Sequence, residues 1–347
     1  MDRNSVWSVC YAKIVRKGGF RTFTVTVSVQ FKTRFKKFGY MDKNTLSERI
    51  REIAKTTGID AIGFANASEF TGYALSHSKR RDPKLSLPDA ETIIVAGIYI
   101  GGVTLPAWSN PWYGRTSRLY LSGYFLDIVK PLDPIAGYLR DEGYSAIICN
   151  SSTDKGSIMP LKLAAIRAGL GWQGKQSLLL TRKFGTFLAL GGIVTNAALE
   201  HNVEEEPNRC KKCTKCQDAC PMGALDQPFV LNRIKCLSNF LQIDRLPEKA
   251  QAVMENRVGD CEICQQVCPW NKKHLDNPLQ TNLTRSFREK IETWETFFYL
   301  PDLVELTEEG YEAALGPMNT DIPYDVFHRN VKIALEKAKM SSERTAG

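Results

Sequence analysis

The sequence predicts a mixed α/β domain that is joined to a small cysteine-rich domain and followed by a helical C-terminal cover. Three observations lead to this fold class. Helical and strand patterns alternate between residues 45 and 195, which is typical of α/β layers. Eight of the ten cysteines lie between Cys210 and Cys268, and helical patterns return after them. The expected divisions are a basic extension (1–40), the α/β domain (41–200), the cysteine-rich domain (201–282) and the helical segment (283–347).

Residues 1–40 carry the whole net charge of the chain. They contain nine Lys/Arg and one acid, Asp2, which gives +8, while the remaining 37 basic and 37 acidic residues cancel. The rest of the chain therefore has no overall electrostatic bias toward phosphate. Within the extension, Phe23–Phe31 alternates apolar and polar residues, which predicts a half-buried strand. Three interpretations stay open: an added strand, a basic arm for RNA, or codons upstream of a start at Met41.

Hydrophobic periodicity predicts the elements of the α/β domain. Leu46, Ile50 and Ala54 fall on one helical face together with Ile53, and Gly58 marks the end of that helix. Short apolar runs between turn residues predict the strands, and apolar residues at helical spacing predict two further helices. The strands are Ile59–Phe64, Ile93–Tyr99, Tyr144–Cys149 and Phe187–Thr195, and the helices are Asp133–Gly143 and Leu161–Ala168.

An aromatic segment between Pro106 and Gly123 is interleaved with arginines. Such residues can form a stacking surface for bases or a flat cofactor. They can equally pack under a loop, and packing is the interpretation that we favour. The residues are Trp108, Trp112, Tyr113, Arg115, Arg118 and Tyr120.

Length and composition limit the function classes. A chain of 347 residues with 43% hydrophobic content is long enough for two or three domains with a sizeable core. It has no uninterrupted run of eighteen apolar residues, so a membrane span is not expected. A thiol-rich chain without an export signal indicates a reducing cytoplasm.

The cysteine-rich segment contains two related runs. The first has the spacing C-x2-C-x2-C-x3-C-P, which is typical of bacterial ferredoxins with two [4Fe–4S] clusters, where the fourth cysteine binds the other cluster. In the second run, one cysteine stands far upstream of C-x2-C-x3-C-P. By this exchange, one cluster is expected on Cys210, Cys213, Cys216 and Cys268, and the other on Cys220, Cys236, Cys261 and Cys264.

Two other interpretations of these cysteines stay open. Pairs with the spacing C-x2-C also suit tetrahedral zinc. Zinc gives no reason, however, for a third cysteine in the first run or for Pro221 and Pro269 after the last cysteine of each run. Disulfides would need an oxidising compartment. Two adjacent clusters, the interpretation that we favour, indicate electron transfer.

Two segments of the α/β domain are candidate site segments. Asn150–Ser157 is polar and has no periodicity, and such loops often carry site residues. Gly169, Gly171 and Gly174 mark a backbone that turns tightly or lets a large ligand approach closely. Their spacing G-x-G-x-x-G follows a helix rather than a strand, so they do not form a dinucleotide-binding fingerprint.

Two helices are predicted after the cysteines. Leu303, Leu306, Tyr311 and Leu315 indicate one helix, and Val326–Lys339 has the pattern of a final amphipathic helix.

From about Met41 to Lys339 the chain resembles the epoxyqueuosine reductases, cobalamin-dependent iron–sulfur enzymes of tRNA modification, and more distantly the reductive dehalogenases. The cysteine series alone is shared with many ferredoxin-like proteins, but its combination with a Gly-Leu-Gly-Trp segment is much more specific. The matching motifs are Arg80-Arg-Asp-Pro83 ahead of Leu87-Pro88, Arg167-Ala-Gly-Leu-Gly-Trp-Gln-Gly-Lys175, Phe184-Gly185, and the cysteine series ending in Cys-Pro-Trp-Asn271.

The resemblance implies a fold and an activity. The fold would be a cobalamin-binding α/β domain, related to B12-processing and nitroreductase-like proteins, with a bacterial-ferredoxin-like two-cluster domain. Electrons from a low-potential donor would pass through the clusters to cobalt. The resulting two-electron reduction would convert epoxyqueuosine to queuosine in tRNA. In such enzymes the cofactors perform the redox chemistry, and the protein supplies orientation and a proton.

The proton donor is where the sequence departs from the family. Members of the family place an aspartate as general acid twelve residues before the arginine that corresponds to Arg167, and that register holds Lys155 here. Asp154 stands next to it, so a shift of one residue in the loop would bring its carboxyl into the role. Lys155 or a tyrosine are alternatives, and Asp154 is otherwise a loop or helix-capping residue. Asp154 and Lys155 are therefore the candidate catalytic residues.

The resemblance also implies cobalamin contacts. With four histidines and no D-x-H-x-x-G motif, the cofactor would bind base-off without a histidine ligand, as in the family. The two leucines among the matching positions are equally consistent with core packing. The positions are Arg81, Gly171, Gly174, Lys175, Leu179, Leu190 and Ser238.

Two alternative functions remain at this stage. The altered acid loop and the neutral body also suit a cobalamin-dependent reductase of a small molecule, nearer in role to the dehalogenases. A two-cluster electron-transfer protein with a degenerate cofactor domain is the third possibility.

Overall fold

The computed structural model describes residues 42–73, 82–123, 129–150, 159–201, 204–289, 296–315 and 322–346. The predictions for residues 1–40, including the strand Phe23–Phe31, lie outside this range.

A four-stranded sheet lies at the centre of the α/β domain. Its strand order is β1-β2-β6-β3, and every neighbouring pair is antiparallel. The inner strands β2 and β6 are paired from Thr92 opposite Thr195 to Tyr99 opposite Leu188. The four predicted strands are confirmed, with ends shifted by one or two residues. The sheet strands are β1 (Ala61–Asn66), β2 (Thr92–Tyr99), β3 (Ala146–Asn150) and β6 (Leu188–Thr195), and a separate hairpin joins β4 (Trp172–Gln173) to β5 (Leu179–Leu180).

Helices cover both faces of the sheet. Helices α1 (Lys43–Thr56) and α3 (Val129–Asp141) pack their apolar faces on one side, around Ile94 and Ile193. Helix α4 (Leu161–Arg167) packs on the other side, around Val95 and Val194. Every residue of β2 is buried, which explains why its sequence is a continuous apolar run rather than an alternating one. The predicted α/β architecture is confirmed.

The predicted C-terminal ends of α1 and α3 agree with the structure. Gly58 and Gly143 have φ values of 81° and 90° just after α1 and α3, a backbone conformation that glycine adopts without steric cost. Helix α3 begins at Val129, four residues before the predicted start at Asp133, and it contains Pro134. The Asp133-Pro134 pair has the pattern of a helix start. The sequence therefore predicted the first residue of α3 too late in the chain.

The aromatic segment is packed rather than exposed. A short 3-10 turn covers Pro106–Ser109, and helix α2 covers Arg118–Gly123. Trp108 and Tyr120 belong to the main apolar core. The packing interpretation is therefore correct for these two rings.

The cysteine-rich domain consists of short helices around a small apolar cluster. Leu237, Phe240, Leu241, Ala250 and Met254 form that cluster. Little regular structure is needed here, because loops carry most of the cysteines. The helices are α5 (Lys215–Asp218), α6 (Leu237–Phe240), α7 (Glu248–Val253), α8 (Ile263–Gln266) and α9 (Lys272–Asp276).

The C-terminal helices extend the core beside the sheet. Phe287, Leu300, Tyr311 and Phe327 are buried in the same apolar cluster as Tyr99 of β2. The predicted helical cover is thus confirmed, and the final helix is longer than Val326–Lys339. The helices are α10 (Asn282–Arg288), α11 (Leu300–Leu303), α12 (Glu308–Leu315) and α13 (Tyr324–Ala346).

The prediction of a single helix from Leu303 to Leu315 was wrong. The structure has two helices here, α11 and α12, with a break at residues 304–307. Thr307 explains the break, because its Oγ1 accepts the N–H of Gly310 at 3.2 Å and its carbonyl accepts that of Tyr311 at 2.8 Å. A threonine that caps orphan N–H groups in this way starts a new helix.

Among the described residues, no helix combines the length and the apolar character that a bilayer crossing requires.

Candidate functional site

A first group of thiols surrounds α5. Cys210 and Cys213 lie in the preceding loop, where the Cys213 N–H donates to the Cys210 carbonyl at 2.9 Å, and Cys216 lies on the helix. Cys268 reaches the same place from the second run. Burial raises the pKa of the Cys268 thiol to about 11, and the nearby thiols of Cys210 and Cys216 add to the increase. The structure therefore brings Cys268 to the cysteines of the first run.

A second group of thiols combines the two runs in the opposite sense. Burial raises the pKa of Cys264 well above its usual value, and the neighbouring thiols of Cys261, Cys236 and Cys220 contribute, together with Cys216 of the first group. Burial also raises the pKa of Cys261 to about 12. Cys220 of the first run thus lies with the cysteines of the second run, and the Ala224 N–H donates to its Sγ at 3.2 Å.

The chemistry of these thiols fits iron–sulfur clusters. All nine cysteines of the described chain are free thiols, so none of them forms a disulfide there. Within the described ranges, no three His, Cys, Asp or Glu side chains are placed to hold one metal ion. In a [4Fe–4S] cluster each of four cysteines binds the cluster, so its ligands need not converge on a single ion. Burial disfavours the bare thiolates, and cluster iron would supply the compensating charge.

The Gly169–Lys175 segment contacts the first group of thiols. The indole ring of Trp172 meets that of Trp270 edge-on, with centroids 4.7 Å apart, and the two rings form an apolar cluster with Cys210 and Cys268. The Lys175 Nζ donates to the Cys213 carbonyl at 2.9 Å. This segment therefore connects the α/β domain to the loop of the first group.

Neighbouring atoms of the chain leave no space for a side chain at two glycines of this segment. A Cβ on Gly171 would lie 1.9 Å from the Leu180 carbonyl oxygen, so only glycine lets the hairpin β4–β5 close. A Cβ on Gly174 would lie 2.3 Å from Oε1 of Gln176. A tight turn or the close approach of a ligand was predicted at these positions, and the structure shows the tight turn, with the hairpin backbone and a neighbouring side chain close to the glycines.

The Phe184-Gly185 motif meets the end of the cysteine series. The Asn271 Oδ1 accepts the N–H of Thr186 at 2.8 Å, and its Nδ2 donates to Thr186 Oγ1 at 2.7 Å and to the Gln265 carbonyl at 2.8 Å. A Cβ on Gly185, whose φ is 59°, would lie 2.1 Å from Asn271 Oδ1. Two motifs that are far apart in sequence thus form one contact beside the cysteines.

A buried ion pair fixes the second group of thiols to the α/β domain. Glu262, between Cys261 and Cys264, pairs with the guanidinium of Arg118 and accepts the backbone N–H of Arg118 at 3.1 Å. The two side chains are only 2% and 6% exposed. Sequence analysis placed Arg118 in an aromatic segment and missed Glu262, since the sequence carries no signal that joins two residues so far apart.

Asp260 is a second carboxyl at this junction. Its Oδ1 accepts the Cys261 N–H at 2.7 Å, and its Oδ2 accepts from the hydroxyl of Ser117. Burial raises the pKa of Asp260, and hydrogen bonds from Ser117 and Ser238 oppose the increase. Ser238, a predicted cofactor contact, is therefore held beside the second group of thiols.

The structure describes two of the remaining predicted site residues. Leu179 is buried against α4 in the apolar core, whereas Leu190 is half-buried on β6 opposite Gly97. Arg81, Asp154 and Lys155 lie outside the described residues.

Two side chains that sequence analysis did not identify follow directly after Lys175. Gln176 and Ser177 are buried, and among the described residues Nε2 of Gln176 and Oγ of Ser177 have no hydrogen-bond partner. Ser177 also has a φ of 66°, an unusual backbone conformation for serine. Unpartnered buried polar groups are costly, so this turn fits a ligand that carries hydrogen-bonding groups, such as the amide-bearing cobalamin.

Comparison with known proteins decides the family. Residues 209–271 match the family described as a 4Fe-4S double cluster binding domain. The epoxyqueuosine reductase of Bacillus subtilis (strain 168) is 30% identical over 293 residues, which cover 72% of this chain and 74% of that protein. The chain belongs to the epoxyqueuosine reductase family. The epoxyqueuosine reductase of Prochlorococcus marinus (strain NATL2A) is 38% identical over 266 residues, covering 70% of this chain and 83% of the relative.

A solved structure of the same family has a similar fold. The crystal structure of an epoxyqueuosine reductase with an epoxyqueuosine-modified tRNA-Tyr stem loop superposes with a TM-score of 0.68 at 26% identity, covering 86% of this chain and 83% of that one. The expectation of an epoxyqueuosine reductase-like oxidoreductase with two [4Fe–4S] clusters is confirmed.

Proposed function

We propose that this member of the epoxyqueuosine reductase family converts epoxyqueuosine to queuosine in tRNA, with electrons that pass through two [4Fe–4S] clusters to a bound cobalamin. The observation that carries the proposal is the convergence of the family's motifs on one place. Lys175 and Trp172 of the glycine-rich segment, and Thr186 after Phe184-Gly185, all contact the cysteine series or the Trp270-Asn271 that follows it. This arrangement joins the α/β domain to the electron-transfer domain.

The proposed ligands of the clusters follow the two groups of thiols. Cys210, Cys213, Cys216 and Cys268 would hold the first cluster, and Cys220, Cys236, Cys261 and Cys264 the second. Burial raises the pKa of Cys268 and of Cys264, and the nearby thiols of Cys210 and Cys220, respectively, add to the increase, which supports this exchange. The clusters would lie next to one another because both runs contribute to each of them.

The proposed cobalamin site lies where the α/β domain faces the clusters. When bound, cobalamin supplies a low-valent cobalt that performs two-electron reductions. The turn at Gln176 and Ser177 offers unpartnered polar atoms to its amide groups, next to the backbone from Gly171 to Lys175. Arg81, Leu179, Leu190 and Ser238 remain proposed contacts on the basis of the family resemblance.

The chain must also supply a proton. Loss of the epoxide oxygen as water consumes two electrons and two protons, and the first proton must reach that oxygen as its carbon–oxygen bond breaks. Asp154 or Lys155 is the proposed donor, at the position of the family's general acid. A carboxyl in this role works best with a pKa near the operating pH.

The remaining assignments complete the proposal. The electrons would come from a low-potential donor, and the reducing cytoplasm would be the site of action, because tRNA and free thiols are found there. The proposed division places the α/β domain at 41–200, the cluster domain at 201–282 and the helical segment at 283–347, after the basic extension 1–40.

The decisive experiment uses anaerobically purified full-length chain. We expect about eight irons and eight acid-labile sulfides per chain, a change in the cobalamin absorption spectrum on binding, and conversion of epoxyqueuosine to queuosine in tRNA by mass spectrometry when a reductant is added. Zinc in place of iron would contradict the cluster proposal. Cobalamin binding without turnover of tRNA would instead support a small-molecule reductase.

Two comparisons refine this experiment. Binding of tRNA should weaken steeply with salt, since contacts to phosphate release counterions. A chain that starts at Met41 retains the neutral body and loses the +8 extension, so it tests whether the extension contributes to tRNA affinity. Separate Asp154→Ala and Lys155→Ala variants identify the proton donor, and full turnover by both would place the acid elsewhere.

A further inference from the structure

Trp172 is the largest fully buried side chain in the described part of the chain, and it lies beside the first group of thiols. It is 1% exposed, and its apolar cluster includes Leu180, Trp270, Cys210 and Cys268. Cys210 and Cys268 are two of the proposed ligands of the first [4Fe–4S] cluster. The indole ring of Trp172 therefore belongs to the wall around that iron–sulfur site.

The indole N–H of Trp172 lacks an acceptor. Its Nε1 is buried and makes no hydrogen bond within the described ranges. An indole nitrogen can only donate, and a buried donor without an acceptor is costly. The neighbours of the ring are apolar side chains and thiols, so sulfur is the acceptor that these neighbours offer. A neutral thiol accepts weakly, whereas the sulfurs of a bound cluster carry negative charge and accept more strongly.

The ring is held in place from two sides. Trp172 begins β4, and its backbone pairs with Leu180 of β5 in the hairpin. From the cysteine-rich domain, the Trp270 ring packs against it at an interplanar angle of 71°. Trp270 stands two residues after Cys268. Packing of this kind restricts the rotamer, so the donor keeps one direction relative to the thiols.

Cobalamin is the other group that would supply acceptors near this segment. The buried polar atoms that we assign to its amide groups, on Gln176 and Ser177, lie in the turn after Lys175. Trp172 stands earlier in the segment, where its apolar cluster includes two of the thiols. The position of the indole therefore favours the iron–sulfur cluster as the acceptor.

We propose that the Trp172 indole donates a hydrogen bond to a sulfur of the first iron–sulfur cluster and thereby raises the reduction potential of that cluster. Hydrogen bonds to the sulfurs are among the factors that set such potentials. The reduced cluster carries one more negative charge than the oxidised one, so a donor stabilises the reduced state more. Trp172 would be a positioning residue for electron transfer. This inference rests on the cluster ligands given in the proposed function.

Pulsed electron paramagnetic resonance tests the hydrogen bond directly. The anaerobic full-length chain is labelled with nitrogen-15 at the tryptophan indole nitrogens and reduced with dithionite, without added cobalamin. We expect a weak nitrogen-15 coupling to a reduced cluster and an exchangeable proton that is lost in D2O, and neither in Trp172→Phe. A parent chain with about eight irons but no such coupling would overturn this inference alone. A parent chain without iron would contradict the proposed function as well.

Redox titration of the variants measures the consequence. Trp172→Phe keeps an aromatic ring but removes the N–H, so reduction of one of the two clusters should become roughly tenfold less favourable, a decrease of about 59 mV. Trp108→Phe is the matched control, because Trp108 is also buried with an unpartnered Nε1 among the described residues but belongs to the main apolar core. It should leave both potentials unchanged. Equal shifts in the two variants, or no shift in Trp172→Phe, would contradict the inference. If Trp172→Phe does not fold, the nitrogen-15 measurement on the parent chain still decides.

Discussion

The position of Lys175 adds a second role to the one that its sequence motif predicts. Sequence comparison places it among cobalamin contacts, whereas the structure places its ammonium group 2.9 Å from the Cys213 carbonyl, in the loop of the first group of thiols. The charge surrounding an iron–sulfur cluster helps to set its reduction potential. A positive charge here stabilises the reduced cluster, which carries one more negative charge than the oxidised one.

We therefore expect Lys175→Met to lower the midpoint potential of the first cluster. At an effective dielectric constant of about 20, a unit charge roughly 10 Å away contributes about 1.7 kcal/mol, or on the order of 70 mV. Redox titration followed by electron paramagnetic resonance measures the shift. Lys175→Arg, which keeps the charge, serves as the control, and equal potentials in the two variants would show that the charge does not act on the cluster.

His274 provides a prediction about stability and pH. It is buried, its Nδ1 lies 3.0 Å from the Tyr99 hydroxyl, and burial lowers its pKa from 6.5 to about 4. Below pH 6.5 the unfolded chain binds a proton that the folded chain does not, so stability falls as the pH decreases from 6.5 toward 4. From pH 7 to 5.5 this group should cost about 1 kcal/mol of unfolding free energy.

Anaerobic urea unfolding of the parent chain and of His274→Gln tests this directly. The glutamine does not titrate, so the variant should lose about 1 kcal/mol less stability over the same interval. Parallel pH profiles for the two proteins would mean that the imidazole is protonated equally easily in both states.

At the scale of helices and strands, the local sequence pattern predicted an element correctly wherever burial determines which of its residues are apolar. The continuous apolar run of β2, which is buried on both faces, and the apolar stripe on one face of α1 were both recognisable for this reason. The break between α11 and α12 was not, since Thr307 acts through its own hydrogen bonds while the apolar spacing continues across it. The reason for Gly171 was also hidden, because Leu180, nine residues away, determines it.

The ion pair between α2 and the loop before α8 should be essential for docking the second group of thiols. Breaking it by Glu262→Gln leaves the Arg118 guanidinium buried without a counter-charge, which should cost about 3–5 kcal/mol of unfolding free energy. Urea unfolding of the anaerobic protein measures the loss.

An exposed pair provides the matched control for this element. Arg49 and Glu52 form an ion pair with side chains 57% and 61% exposed, so Glu52→Gln should cost less than about 1 kcal/mol. Replacing both buried partners by Met, as Arg118→Met with Glu262→Met, should recover part of the loss, because no unpaired charge then remains. A loss for Glu262→Gln as small as that for Glu52→Gln would show that the buried pair contributes little.

In the molecule as a whole, the cysteine spacing predicts two cluster ligand sets, and the thiols that add to the raised pKa of Cys268 and Cys264 agree with the proximity that these sets require. The contacts between the domains were not predictable from spacing. Asn271 with Thr186 and Glu262 with Arg118 join residues 85 and 144 positions apart, and neither member of a pair reveals its partner. The acid loop at Asp154 and Lys155 stays a prediction, as does Arg81.

The exchange of ligands between the two runs leads to a prediction about the whole chain. If Cys220 binds the second cluster, the double variant Cys220→Ser with Cys236→Ser damages one cluster only, and about four of the eight irons should remain. Cys220→Ser with Cys213→Ser would damage both clusters and leave almost none. Without exchange, the two results would be reversed, since Cys213 and Cys220 would then share a cluster. Iron and sulfide analysis of anaerobically reconstituted protein gives the counts, and Cys149→Ser, which removes a thiol of β3 outside both groups, should retain all eight.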